Sequence, residues 1–348
     1  MIEWRDVYKV VNAVLPLYAP LTLGYGSVKW WNMFKSEQCD TINRFFCYFV
    51  LPIYSFDFIA HIDPYHMNYR FIVADIISKI ILVMILALWA TFTKKGSFSW
   101  FITSLVLSSL SNTVIVGVPF LDSMYGEVGK QLTIQSYTIQ TLLWFPALLF
   151  MLEIRRARAM PGFGVRDRVE GGGERGVVEE GRVSLFSLLK TVSYKVLRNP
   201  NCFACYVSVI WGLVAYRWHF HMPEVIDGCI KIVAKAGACV AMFSMGLFMA
   251  VQPKIVACGS GLTIVALVLR FVVGPSAMVI ASLVVRLHGD IFRASFIQAA
   301  LPQAITAFVF AKEYSLHAEV FSVSISVGTI ISVPVLIAYY AILEVIHI

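Results

Sequence analysis

The sequence runs to 348 residues, of which 59% are hydrophobic and only 14% charged. A soluble domain carries about 25% charged residues. A chain this apolar can neither cover a globular surface in water nor remain disordered, so the composition demands a protein with many membrane-spanning segments. The net charge of +7 then reports where Lys and Arg sit relative to a bilayer, and it gives no ground for a nucleic-acid partner.

A spanning helix needs roughly 20 apolar residues. Ten stretches meet that length, at about 7–27, 41–61, 69–92, 99–121, 131–154, 201–219, 229–251, 260–285, 291–311 and 320–345. They are continuously apolar, without the alternation of a membrane β-barrel. The first follows Glu3, Arg5 and Asp6 and contains Pro16 and Pro20, which reads as an uncleaved first span. Between the fifth and sixth lies one long polar stretch, 155–198, with Arg166, Arg168, Arg175, Arg182 and the run Gly171-Gly172-Gly173. It reads as a solvated linker. The seven cysteines lie mostly in apolar runs. Cys202-x-x-Cys205 stands without a second ligand pair, so they read as small buried hydrophobes and no metal or cofactor is expected.

The linker separates a first half, 1–154, from a second, 199–348, each with five spans. An odd number inverts the second half relative to the first, as in inverted-repeat secondary transporters. The expected fold is therefore an all-α polytopic membrane protein of ten transmembrane helices in two inverted five-helix repeats. Seven Lys and Arg fall on the side of the termini and seventeen on the side of the linker. By the positive-inside rule the linker is cytoplasmic and both termini are not.

Two spans are interrupted in matching positions. Span four carries Ser111-Asn112-Thr113 followed by Gly117 and Pro119, and span nine carries Ala300-Leu301-Pro302-Gln303-Ala304. Pro119 and Pro302 are expected to break their helices. Such breaks survive in a bilayer only where they face protein or a watery cavity, and paired breaks point to a transport site. Half-helix N-termini offer positive dipole ends, Asn112 and Gln303 add neutral donors and acceptors, and no fixed cation is evident at either break. This set suits one carboxylate on an apolar body, and unwound carbonyls suit a cation equally. In span three Asp75 and Lys79 share a helix face at i, i+4 and read as a support or coupling pair, with Gln140 of span five a weaker companion. No phosphate-binding loop, HExxH or nucleophile elbow is present, so the chain is not read as an enzyme.

Several long motifs resemble the plant PIN-FORMED auxin efflux carriers. They include Tyr25-Gly26-Ser27-Val28-Lys29-Trp30-Trp31, Ile42-Asn43-Arg44-Phe45, Asn199-Pro200-Asn201, the run from Met242 to Ala250, Gln298-Ala299-Ala300-Leu301-Pro302-Gln303 and Phe310-Ala311-Lys312-Glu313-Tyr314. The short linker resembles that of the short-loop type placed in the endoplasmic reticulum membrane. The resemblance implies crossed broken helices 4 and 9, a homodimer, an elevator-type mechanism, and indole-3-acetate or related aryl carboxylates as substrate, moved out of the cytosol. By position, Asn112, Asn199 and Asn201 would hold the carboxylate or ring nitrogen. Leu51, Pro302, Gln303 and Ile305 would line the apolar part, and Asp75, Lys79, Gln140 and Phe145 would form the support site. The chain departs from the family pattern at Ser111 and Ala307, where prolines are usual, and at Phe145, where tyrosine is common. A lost hydroxyl is worth roughly 0.5–1.5 kcal/mol of hydrogen bonding. A cation-coupled organic-anion symporter and a membrane auxin receptor that binds without transporting are the alternative readings.

Overall fold

A computed structural model describes residues 4–94, 96–158, 185–252 and 256–345. In chain order the helices are α1 (Trp4–Lys29), α2 (Ser36–Phe45), α3 (Leu51–Ala60), α4 (Tyr69–Phe92), α5 (Phe98–Ser109), α6 (Val118–Ile139), α7 (Phe145–Arg158), α8 (Leu185–Arg198), α9 (Pro200–Trp218), α10 (Glu224–Val251), α11 (Ser260–Val268), α12 (Gly274–Val285), α13 (Gly289–Ala299), α14 (Ile305–Glu313) and α15 (Ala318–Val345). Among the described residues, five helical stretches are long and apolar enough to cross a bilayer: 69–92, 113–158, 224–251, 260–285 and 318–344. Their outer faces expose Met84 and Leu88 on α4, Ile264 and Val265 on α11, and Leu283 and Val284 on α12. So much exposed apolar surface matches a lipid solvent, not water.

Single π turns join several of these helices without a break, at Phe46–Val50, Thr113–Gly117, Gln140–Trp144 and Leu269–Val273. Each is followed shortly by a proline: Pro52, Pro119, Pro146 and Pro275. Proline has no N–H, and its ring clashes with the carbonyl four residues back. One wide turn just ahead of it removes the clash and lets the helix continue. Pro119 therefore does not interrupt span four as expected; the interruption lies upstream, at 110–112. Downstream, Gly126 (φ 58°, ψ −148°) turns the chain within α6, a conformation open to glycine because it has no Cβ.

Two buried clusters fill the interior. One gathers Leu51, Val114, Met245 and Leu301; the other gathers Ile102, Leu149, Ala311 and Phe321. α1 lies against α10 with backbones in contact, since a Cβ on Gly246 would strike the Leu21 carbonyl and one on Gly24 the Phe243 carbonyl. Small residues at such a crossing let dispersion contacts replace a hydrophobic drive that lipid cannot supply. Within the linker, α7 runs on to Arg158 and α8 occupies its last turns, packed on α7. The expectations for Arg166, Arg168, Arg175, Arg182 and the glycine run fall on 159–184, outside the described residues.

Candidate functional site

The two interruptions meet. α5 ends at Ser109 and the chain runs extended through Leu110 before the π turn begins at Thr113. α13 ends at Ala299 and α14 begins at Ile305. The broken segments pair as an antiparallel bridge between Ser111 and Gln303, and the Asn112 N–H donates to the Pro302 carbonyl at 2.8 Å. Backbone groups freed inside a bilayer must find partners, and here side chains complete the set. The Gln140 amide grips Ser111 from both sides: its Nε2 donates to the Ser111 carbonyl (3.0 Å) and its Oε1 accepts from the Ser111 N–H (3.3 Å). A proline at 111 would lack that N–H. Gln303 Nε2 donates to the Val106 carbonyl at 3.2 Å, and Gln298 Nε2 donates to Thr113 Oγ1 at 3.1 Å.

Arg270 completes the crossover and overturns the expectation that no fixed cation is present. It rises from the π turn between α11 and α12 and is 1% exposed. Its guanidinium donates to the carbonyls of Leu301 (2.5 Å), Ala299 (2.9 Å) and Leu107 (3.4 Å). These carbonyls close the C-terminal ends of α5 and α13, where the helix dipoles are negative. The planar fork of Arg can span several acceptors at once, as a lysine ammonium cannot. With the C-terminal ends neutralised, the positive ends at Thr113 and Ile305 dominate the field at the crossover.

Some buried polar atoms at the crossover have no protein partner: Asn112 Nδ2, Gln303 Oε1, Gln298 Oε1 and Asp75 Oδ2. Each such atom costs about 1–3 kcal/mol if left unpaired; Asn112 Nδ2 is the donor of the set and the other three are acceptors. Asp75 and Lys79 lie beside it on α4, both buried, with Lys79 Nζ 2.5 Å from Asp75 Oδ1 and 5.5 Å from the Trp144 ring centre. A cavity of about 20 Å³ joins the pair to Ser108, Ser111 and Gln298, room for a single water.

The remaining expected residues spread outward. Leu51 is buried in the same apolar core as Val114 and Leu301, and Ile305 packs against it. Phe145 stands edge-on to Phe310, ring centres 4.8 Å apart, in the second core. Asn201 Oδ1 accepts from Ser55 (2.9 Å) and Tyr137 (3.1 Å), tying α9 to α3 and α6. Asn199 is occupied as the N-cap of α9, accepting from the N–H groups of Asn201 (3.0 Å) and Cys202 (3.3 Å). The structure thus brings Asn112, Gln140, Pro302, Gln303 and Ile305 together with Asp75 and Lys79 alongside, and leaves Asn199 at a helix end. Arg270 and Gln298 are the members that sequence reasoning did not place at the site, whereas Thr113 belongs to the Ser111–Thr113 cluster that it did single out. A second cavity, about 360 Å³, opens at the loop ends beside Asp57, His61, Gln135 and Lys231.

A family profile described as membrane transport protein matches residues 9–340. Auxin efflux carrier component 5 of Arabidopsis thaliana is 48% identical over 356 residues, covering 100% of both chains. Probable auxin efflux carrier component 5a of Oryza sativa subsp. japonica is 46% identical over 366 residues, again with 100% of both chains covered. Auxin efflux carrier component 8 of Arabidopsis thaliana is 37% identical, with 99% of this chain and 100% of that protein covered. All three are named as carriers, not as enzymes.

Proposed function

The chain belongs to the membrane transport protein family and groups with its short-loop auxin efflux carriers, and from that premise we propose that it carries the anion of indole-3-acetate and related aryl carboxylates across a membrane. The observation that supports this most is the crossover, where unpartnered Asn112 Nδ2 sits between positive helix ends in a setting whose negative ends Arg270 has capped. A carboxylic acid with a pKa near 4 is an anion in the cytosol. Its carboxylate would take the Asn112 amide and the Thr113 and Ile305 helix ends, and its ring the apolar wall of Leu51 and Ile305.

The carrier works as ten spans in two inverted repeats, as a homodimer whose crossover unit moves against a fixed scaffold in elevator fashion. The linker is cytoplasmic, both termini are not, and transport runs out of the cytosol into the endoplasmic reticulum lumen. Uniport is favoured over cation-coupled symport by the Asp75–Lys79 pair. The Lys79 ammonium already neutralises Asp75, the buried carboxylate beside the crossover, and Glu153, also buried, is paired with Lys195. The test is uptake of labelled indole-3-acetate into liposomes holding the purified protein. Saturable uptake that aryl carboxylates inhibit and neutral indole does not supports the proposal. Binding without uptake would return the chain to a receptor, and organelle imaging in the same cells decides the membrane.

A further inference from the structure

α8 has two unlike faces. On the inner one Val192 and Val196 are buried. Lys195 Nζ meets the Glu153 carboxylate of α7 at 2.5 Å and the Tyr314 hydroxyl at 2.8 Å, while Tyr314 also donates to Glu153 at 2.6 Å. This triad fastens α8 to α7 and to the turn between α14 and α15. On the outer face Leu189 (47%), Tyr194 (61%), Leu197 (62%) and Phe186 (76%) are exposed. Arg198 stands at the edge of this arc and Lys190 within it, both also exposed. On a helix of 14 residues the four apolar positions share one face, with Lys190 set among them and Arg198 at the rim.

The neighbours of α8 say what covers that strip. α7 ends against it in Arg155, Arg156 and Arg158, the basic boundary expected where a helix leaves a bilayer. α9, which occupies the sixth expected span, follows it directly and exposes Phe203, Val207 and Ile210. α8 therefore lies at the boundary where the chain enters its sixth expected span, with its outer face uncovered by the described residues. An apolar face that carries long basic side chains, whose charged heads extend to the headgroups while their stems lie on the apolar surface, is the pattern of an interfacial helix.

We propose that α8 lies in the headgroup–acyl boundary of the bilayer, with Leu189 and Leu197 inserted and with Lys190, Arg198 and Arg156 on anionic phospholipid headgroups. Each basic residue adds attraction to an anionic leaflet, and the apolar strip supplies the insertion. The docking is a property of α8 itself and does not depend on which solute the crossover carries.

The test is limited trypsin digestion of the full chain in lipid nanodiscs, with cleavage after Lys190 and Arg198 followed by mass spectrometry. With about 30 mol% phosphatidylserine, cleavage at both sites should slow about tenfold relative to phosphatidylcholine alone. Leu189→Glu with Leu197→Glu should remove that protection while the protein elutes and melts as before, because both side chains are exposed. Equal wild-type cleavage in the two lipids would overturn the proposal. So would a double variant that keeps the full lipid-dependent protection.

Discussion

Replacing Arg270 with methionine removes the guanidinium and keeps most of the side-chain volume. Three carbonyls, those of Leu107, Ala299 and Leu301, then lose their donor in a site that is 1% exposed. Each orphaned buried carbonyl costs about 1–3 kcal/mol. The 3.4 Å contact to Leu107 is at the weak end, so the gross loss comes mainly from the other two and is about 2–6 kcal/mol on that scale. Against this stands the relief of no longer burying an arginine in a membrane, about 2.5–3.5 kcal/mol on insertion scales. The midpoints of these two scales leave a net destabilisation of about 1 kcal/mol. The substrate effect should be larger in proportion, because the negative ends of α5 and α13 would face the anion uncapped. The assay is thermal melting in detergent with and without indole-3-acetate, paired with equilibrium binding. Arg270→Met should melt lower and lose at least tenfold in affinity. Arg270→Lys should recover part of the stability and little of the binding, because an ammonium cannot span the three acceptors. A methionine variant with wild-type melting and binding would refute the assignment of Arg270 to the crossover.

Asn112→Ala removes the unpartnered amide and should cut binding at least tenfold, about 1.4 kcal/mol, with the melting temperature held or raised; calorimetric titration checks it. Asp75→Asn leaves Lys79 buried without its counter-charge, so flux should fall more than affinity, read by comparing uptake rate with equilibrium binding. Asn199→Ala deletes a helix cap worth about 1 kcal/mol; it should lower stability and leave the dissociation constant unchanged, and a binding defect at full stability would make Asn199 a ligand after all. His317 stacks on Trp100 with centroids 3.9 Å apart and bonds Thr103 Oγ1 at 2.8 Å. Burial, with Arg155 nearby, holds its pKa below the ordinary value. Its contribution is therefore complete above about pH 6.5 and is lost as pH falls below that through the lowered folded value. Melting followed from pH 8 to pH 5, an interval of about three units around the histidine range, should show an acid decline that His317→Gln makes shallower.

The features that local sequence carries were legible. Long apolar runs, the polar clusters at Ser111–Thr113 and Pro302–Gln303, and the i, i+4 pair Asp75–Lys79 each reflect chemistry at adjacent or one-turn positions, and the crossover brings them together. What was not legible depends on distant packing. Arg270 is a lone cation in an apolar run, and nothing in its own window says that three free carbonyls from two other helices converge on it. Pro119 was misjudged because a proline was equated with a break, whereas the π turn at Thr113–Gly117 absorbs it. Asn199-Pro200 carries a local signal, an N-cap before a first-turn proline, and the structure shows that cap. α8 was hidden by composition: its basic residues resemble the solvated arginine-rich stretch before it, although Leu188, Val192 and Val196 recur at helical spacing.

The central claim is that the crossover moves an organic anion without a coupling ion. A potential of 100 mV acts on one charge with about 2.3 kcal/mol, a gradient of about fiftyfold at equilibrium. Indole-3-acetate uptake should therefore be measured in proteoliposomes under an imposed potassium-diffusion potential, in sodium-free buffer, with Asn112→Ala liposomes alongside. The account predicts wild-type uptake that follows the sign and size of the potential and is absent from the variant. Uptake that requires sodium, ignores the potential, or equals that of protein-free liposomes would contradict it.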